Sequence, residues 1–245
     1  MSATGPAKNR REISQKHTRK REQTRALIYQ QALRLFQRDG FENTTMRSIA
    51  KATGLSAGAA YYHFASKEDI VIEFYRQSEI AVRAELPRIC ATSTDFFDRL
   101  TALLEFRLKQ FQTHRKFVSV LFQNAVAPES RTSPFHPEMR TLRAEAVDVF
   151  ARLIEDSRMK ILPELRPHCA DLLWLYQLGI LLFWLHDASA RQKSTRRLLA
   201  LSMPVLRQLF RLQRLPFARG LTRGVVDLLT EFSFATPVRP NVPAT

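Results

Sequence analysis

The sequence predicts an all-α fold that consists of a small N-terminal domain and a larger C-terminal domain. Apolar residues recur at spacings of three and four along almost the whole chain, which is the period of an α-helix. No segment has the alternation of apolar and polar residues that is typical of a β-strand. Two very short helical segments on either side of Gly54 precede a series of longer ones, and this change in helix length separates the two domains.

Composition and charge limit the classes of protein to which the chain can belong. A hydrophobic content of 45% with only 7 glycines excludes a disordered or fibrous protein. The net charge of +15 is concentrated in two blocks: residues 1–25 carry +6, and residues 188–226 carry +9 with no acidic residue. Basic blocks of this kind favour binding to a polyanion such as nucleic acid.

The cysteines and the apolar segments indicate the cellular compartment in which the protein is expected. Cys90 and Cys169 lie far apart in the sequence and fit no metal spacing, so a reducing cytoplasm is expected. The basic N-terminus is not followed by an apolar run, so it does not resemble a secretory signal. The most apolar stretch, residues 172–185, is shorter than the ~20 residues of a membrane span. It therefore predicts a buried helix, and no membrane partner is expected.

The N-terminal elements follow from charge and capping residues. Residues 1–17 are basic and polar without an apolar period, so a disordered arm is expected there. A first helix is predicted over residues 18–39, closed by Gly40 in a left-handed C-cap. Thr44 or Thr45 is expected to cap the first of two short helices, which ends near residue 53, and Ser56 the second, which runs to about residue 64.

The remaining predicted helices are longer. One begins at Ser66 and runs to about residue 86, where Pro87 is expected to end or kink it, and Pro204 is expected to kink or split a later one. The others are predicted over residues 94–114, 116–127, 138–159 and 163–186, from 194 or 195 onward, and in a last segment ending near 234. The expected domains are residues 18–80 and 81–234, with a flexible tail over 235–245.

The most specific pattern in the chain lies in residues 41–70, where the sequence is FENTTMRSIAKATGLSAGAAYYHFASKEDI. Ile49 and Leu55 are apolar anchors that hold two helices across a turn, and Gly54 supplies the positive φ of that turn. Ala50 must be small because the second helix crosses over it. The helix that begins at Ala57 is then free to enter a major groove, as in a helix-turn-helix.

These residues resemble the tetracycline-repressor-like (TetR) family of bacterial transcriptional regulators over roughly residues 20–75. The resemblance implies a three-helix DNA-binding domain with its helix-turn-helix at about residues 45–64. It also implies a larger helical domain for dimerisation and ligand sensing. The function that it implies is that of a homodimeric, ligand-responsive repressor of transcription.

The resemblance also implies which residues contact DNA. Thr45 and Lys67 would bind backbone phosphates, and Arg47 would reach a base or a phosphate. The implied contacts are Thr45, Arg47, Ser56, Ala57, Gly58, Ala59, Tyr61, Tyr62, His63 and Lys67. Many relatives have a polar side chain near Ala59, whereas an alanine offers only an apolar contact, best with a thymine methyl. Base recognition should therefore depend on Arg47, Tyr62 and His63. Tyr61 is explained equally well as a DNA contact or as an aromatic residue that lies partly in the core. The basic arm is expected to contact DNA, the alternative being a solvated tail.

Residues 172–185 are apolar on every side of the helix, so both their own domain and a partner must cover them. The resemblance implies a two-fold dimer with a four-helix interface, which would place two recognition helices about one DNA turn apart on a palindrome. The expected interface residues are Leu175, Leu178, Leu182 and Leu185.

Ligand sensing has no motif of its own in the sequence. Candidate lining residues for an unidentified small-molecule effector are Phe106, Phe111, Phe122, Gln123, Trp174 and Gln177, although each is more readily explained as plain core. The histidines fit no metal spacing, and no enzyme signature is present, so neither a metal, a cofactor nor catalysis is expected.

Two matters stay open from the sequence. The regulator could be an activator or a DNA binder without a small-molecule effector, or an enzyme or carrier that merely includes a helix-turn-helix. The basic stretch from Arg191 to Arg223 has two explanations, a solvated face or a surface for an anionic partner. Arg207, Arg211 and Arg214 lie at helical spacing within it, opposite an apolar stripe.

Overall fold

The computed structural model describes residues 6–125, 129–157, 159–213 and 219–231, and these residues contain no β-strand. The all-α prediction is therefore confirmed for this part of the chain. The helices are α1 (Pro6–Asp39), α2 (Met46–Thr53), α3 (Ala57–His63), α4 (Lys67–Thr92), α5 (Phe96–Gln112), α6 (Arg115–Ala125), α7 (Arg140–Asp156), α8 (Arg166–His186), α9 (Lys193–Leu212) and α10 (Arg219–Glu231). Short 3-10 turns precede α7 and α9. Two compact units, Met1–Phe74 and Tyr75–Thr245, meet within α4, whereas the expected boundary lay after residue 80.

Helix α1 begins at Pro6 and not at residue 18, so residues 6–17, expected to form a disordered arm, are helical. Proline favours the first turn of a helix, and the residues that follow it are mostly Arg, Lys, Glu and Gln, which have high helix propensity. The segment has no apolar face, so hydrophobic periodicity gives no signal there. Residues 1–5 and the expected tail over 235–245 lie outside the described residues.

A small apolar core joins the first three helices. Ile28 and Phe36 of α1 and Ile49 of α2 are buried, and α3 contributes the fully buried Ala60. Ala50 is also buried, as expected for the small residue at the crossing of α2 and α3. This core fixes α2 and α3 as one unit, so the outer face of α3 is presented at a defined angle.

A large apolar core of the second unit is formed by residues of α4, α5, α7, α8 and α9. Contrary to the expectation that Pro87 might end its helix, α4 continues to Thr92, and α9 likewise contains Pro204 and continues to Leu212. Both prolines are exposed, where a carbonyl that lacks its N–H partner can be solvated.

Helix α8 has a buried and an exposed side. Trp174 and Trp184 lie in the interior, whereas Leu182 and Phe183 are exposed. Among the described residues, α8 is the one helix that is long and apolar enough to cross a membrane by length and composition alone. Its two buried tryptophans are what a core helix of this composition is expected to have.

Helix α9 changes the interpretation of the basic stretch. Arg207 forms a two-pronged ion pair with Asp95, with Nη1–Oδ2 and Nη2–Oδ1 distances of 2.6 and 2.7 Å, and its guanidinium lies 4.6 Å from the centroid of the Phe97 ring. This residue therefore has an internal partner and is not part of a solvated face. Arg211 is exposed, and Arg214 lies outside the described residues.

Candidate DNA-binding surface and effector cavity

Local hydrogen bonds set the bounds of α2, as the sequence predicts. Thr45 Oγ1 accepts from the Ser48 N–H at 3.1 Å, and Ser48 Oγ accepts from the Thr45 N–H at 3.0 Å, which is a complete capping box. Gly54 ends the helix with φ of 69°, a conformation in which a Cβ would be strained. The Leu55 N–H then donates to the Ala50 carbonyl and fixes the turn into α3.

Helix α3 presents two tyrosines on the surface of the N-terminal unit. Ser56 caps it by accepting from the Ala59 N–H at 3.1 Å, and Ala60 anchors its inner side. Tyr62 is 68% exposed, whereas Tyr61 is 49% exposed and so remains compatible with its alternative as a partly core aromatic. Of the short residues at the N-terminus of α3, Gly58 is exposed, while Ala57 and Ala59 are half-buried.

Two arginines of α1 contact the C-terminal end of α3. The Arg21 guanidinium lies 5.5 Å from the centroid of the Tyr62 ring, and Arg25 lies 3.9 Å from that of Phe64. Arg25 also donates to the His63 carbonyl and to Glu73. In the sequence both arginines were visible only as members of the basic N-terminal block. Their spacing of four residues on one helical face was the signal that they act together.

These contacts set the electrostatics around His63. Burial, followed by the positive charges of Arg21 and Arg25, lowers the pKa of the His63 imidazole below its ordinary value. The ring is therefore neutral at pH 7 and can either donate or accept a hydrogen bond. A neutral imidazole suits contact with a base edge, as the sequence analysis expects of His63.

The residues that the resemblance assigns to phosphate contacts differ in exposure. Thr45 and Arg47 are exposed, and the Thr45 hydroxyl proton remains available because Oγ1 acts as an acceptor within the capping box. Lys67 is half-buried, with Nζ 2.9 Å from the Phe41 carbonyl oxygen and 4.2 Å from the centroid of its ring. A phosphate would have to share this ammonium group with that carbonyl.

The larger unit contains a partly open cavity of about 90 Å³ between α4, α5, α6, α7 and α8. Four of the six candidate ligand residues line it, namely Phe111, Phe122, Trp174 and Gln177. The other two do not: Phe106 packs against the core and Gln123 is exposed. The remaining apolar lining residues are Val118, Pro134, Met139, Leu142, Ala146, Leu178 and Leu181.

An ion pair that the sequence analysis did not identify forms one wall of the cavity. Arg107 is 1% exposed and donates from Nη2 to Glu79 Oε2 at 2.5 Å and from Nη1 to Ser78 Oγ at 2.9 Å. The signal in the sequence was an arginine within the apolar stripe of α5, one turn before Phe111. Gln177 Oε1 and Arg107 Nε are buried and have no hydrogen-bond partner in the described structure.

The expected dimer residues have unequal exposure. Leu175 and Leu178 pack partly against the core of their own unit, and Leu178 also lines the cavity, whereas Leu182 is exposed and Leu185 is half-buried. We define the α8–α9 apolar surface as the large exposed apolar side chains of these two helices, which are Leu182, Phe183, Leu201, Val205, Leu209 and Leu212. The α9 members had been expected only as the stripe opposite the arginines.

Among the described residues, no group of three or more His, Cys, Asp or Glu side chains is close enough to hold a metal ion. Cys90 and Cys169 are both free thiols.

Comparison with known families covers both units. Residues 28–74 match the model described as bacterial regulatory proteins, tetR family, and residues 99–229 match the tetracyclin repressor-like C-terminal domain.

Comparison with individual proteins gives weaker but consistent likenesses. The chain is 39% identical to the transcriptional regulator AcrR of Shigella flexneri over 67 residues, which are 27% of this chain and 31% of that protein. It is 28% identical to the transcriptional repressor KstR2 of Mycobacterium tuberculosis over 134 residues, which are 54% of this chain and 67% of that protein.

Two solved structures have the same fold. The Thermus thermophilus repressor FadR, in complex with lauroyl-CoA, aligns with a TM-score of 0.56 at 21% identity over 78% of this chain and 95% of that one. The fatty acid degradation regulator FadR of Bacillus halodurans aligns with a TM-score of 0.58 at 16% identity over 74% of this chain and 94% of that one.

Proposed function

This chain belongs to the tetracycline repressor-like (TetR) family of bacterial transcriptional regulators, and on that premise we propose that it is a homodimeric repressor released from DNA by a small molecule. The observation that carries the proposal is the exposed outer face of α3, which is held rigidly by caps at Thr45, Gly54 and Ser56. A helix fixed in this way can present side chains to a major groove.

The DNA contacts divide into positioning and specificity. Thr45, Ser56 and Lys67 bind phosphates, and the basic face of α1 adds to the same electrostatic attraction. Arg47, Tyr62 and His63 contact base edges. The half-buried methyl groups of Ala57 and Ala59 favour a thymine methyl on the DNA side.

Dimerisation uses the α8–α9 apolar surface, including Leu182, together with the flanking Leu175, Leu178 and Leu185. Side chains as large as Leu201 and Val205 are rarely exposed in a stripe on a monomer unless another surface covers them. Two-fold symmetry about this surface places the two copies of α3 on a palindromic operator.

The effector binds in the cavity beside Trp174 and Gln177. The cavity is formed by helices of the same unit that carries the dimer surface, so an occupant that expands it changes the packing beneath that surface. The effector shifts the population toward dimers whose two copies of α3 are wrongly spaced for the operator. The FadR neighbour in complex with lauroyl-CoA supports a ligand site in this fold.

The proposal also covers location and chemistry. We place the protein in the cytoplasm, where DNA and reducing conditions are found, and assign it no catalytic role. An activator, or a DNA binder without an effector, shares the α3 surface. For either alternative, a ligand that occupies the cavity would not weaken operator binding, whereas the proposed repressor would be released.

Binding to DNA from upstream of the protein's own gene tests the proposal, measured by fluorescence anisotropy against an unrelated duplex. Tyr62→Ala should reduce operator affinity to the level of unrelated DNA, because a groove-facing ring is lost while the fold and the dimer remain. Tyr62→Phe is the matched control, since it keeps the ring beside Arg21 and removes only the hydroxyl group. Wild-type affinity in Tyr62→Ala would refute the assignment of α3.

A further inference from the structure

The size and lining of the cavity restrict its occupant. Its volume of about 90 Å³ is smaller than the ~150 Å³ of an apolar cavity that binds benzene. The walls are mostly aromatic and aliphatic, with Phe111, Phe122 and Trp174 among them. Because the cavity is partly open, a compact apolar molecule with a single ring can extend toward its mouth, whereas a longer molecule requires the walls to move.

The charge of Arg107 in the lining is already compensated. Arg107 is paired with Glu79 and hydrogen-bonded to Ser78. Arg143 Nη1 donates to the Pro134 carbonyl at 2.9 Å, and burial, followed by the charge of Arg140, lowers the pKa of Arg143, while Asp171 opposes that shift. A carboxylate ligand beside Arg107 would lose its hydration without meeting an unpaired cation, which is a cost that a neutral ligand does not have.

Two polar atoms of lining residues have no hydrogen-bond partner in the described structure: the donor Arg107 Nε and an acceptor on Gln177. This residue is 4% exposed, and its Oε1 has no hydrogen-bond partner in the described structure. A buried acceptor without a partner is costly, so a molecule that donates to it gains an interaction that an apolar molecule of the same shape lacks. Gln177 lies on α8 three residues after Trp174, so an aromatic ring and a polar group are presented from the same helix.

We infer that the cavity takes an uncharged, compact, largely apolar ligand that donates a hydrogen bond from a hydroxyl group to Gln177 Oε1. This inference rests on the proposed function, because it defines the chemical class of the effector. The Arg107–Glu79 pair forms a neutral polar wall, and the aromatic side chains hold the ring or hydrocarbon frame of the ligand.

Three probes that share one ring separate the classes of ligand. Phenol, benzene and benzoate are titrated into the full-length protein without DNA and followed by calorimetry. Phenol should bind about tenfold more tightly than benzene, the effect of one hydrogen bond to an otherwise unpaired acceptor, and benzoate should bind most weakly. Tightest binding of benzoate, equal binding of phenol and benzene, or no binding of any probe would each overturn the inference.

Substitution at Gln177 identifies the acceptor. Gln177→Leu should lower the affinity for phenol to that for benzene and leave benzene unchanged. Gln123→Leu is the matched control, since it makes the same change at an exposed position outside the cavity. An unchanged preference for phenol in a folded Gln177→Leu protein would contradict the assignment. The probe series on the wild-type protein decides the ligand class even if this variant fails to fold.

Operator binding without ligand separates this inference from the proposed function. If the protein binds its operator and none of the three probes binds the cavity, the ligand class is wrong and the DNA-binding function stands. If operator binding itself is absent, the proposed function fails first.

Discussion

A charge placed on the α8–α9 apolar surface should dissociate the proposed dimer. The surface contains six large side chains that expose 42–61% of their area in one protomer. Burying the exposed half of each contributes about 1 kcal/mol, so the symmetric pair of surfaces gains roughly 12 kcal/mol before the cost of association, itself about 4–15 kcal/mol. Leu201→Glu removes this contribution twice per dimer and buries two unpaired carboxylates at several kcal/mol each. The dimer dissociation constant should rise by at least about 1,000-fold.

Sedimentation equilibrium over the nanomolar to micromolar range measures this change directly. Ile80→Glu is the matched control, because Ile80 is 52% exposed but lies on α4, outside the α8–α9 apolar surface. Leu182→Glu on α8 should behave as Leu201→Glu does. A wild-type protein that is monomeric at micromolar concentration, or a Leu201→Glu protein that dimerises as tightly as wild type, would refute the reasoning.

Three further predictions follow from ion pairs and basic residues. Asp95→Ala should lower the stability by about 1–3 kcal/mol, because Asp95 both caps α5 and pairs with Arg207. The hydrogen bond from Arg207 holds the pKa of the Asp95 carboxyl group below its ordinary value of about 4. The stabilisation is therefore fully present above pH 4 and is lost as the pH falls below about 4. Thermal melts of the wild-type and Asp95→Ala proteins at pH 7 and pH 3 test this prediction. A difference in melting temperature that is as large at pH 3 as at pH 7 would count against it. Arg211→Gln should leave unchanged the slope of log operator affinity against log salt concentration. A slope reduced by about one would place α9 on the DNA. Arg21→Gln should reduce that slope by about one and weaken binding, since Arg21 lies beside Tyr62; an unchanged slope would show that α1 does not reach a phosphate.

Local signals in the sequence were sufficient for the helix-turn-helix. The caps at Thr45 and Ser56 and the turn at Gly54 depend on residues within a few positions of one another, so their chemistry is visible in the chain. The start of α1 was missed because a charged helix without an apolar face has no period to detect.

Partners distant in the sequence could not be predicted in the same way. Arg207 was assigned to a basic face, whereas its partner Asp95 lies 112 residues earlier in the chain. Gln123 and Phe106 were chosen as lining residues by helix membership, but the rotation of each helix decides which side chains enter the cavity. The apolar stripe of α9 was visible in the sequence, yet periodicity cannot tell whether such a stripe is covered by its own chain or faces outward.

Selection of binding sites from a pool of random DNA duplexes tests the central claim most directly, because it assumes nothing about the operator. We expect enrichment of a palindrome whose half-sites lie about one helical turn, roughly 10 base pairs, apart, bound by one dimer. The Tyr62→Ala protein should enrich no sequence from the same pool. Enrichment of no sequence by the wild-type protein, or of the same palindrome by Tyr62→Ala, would contradict the account.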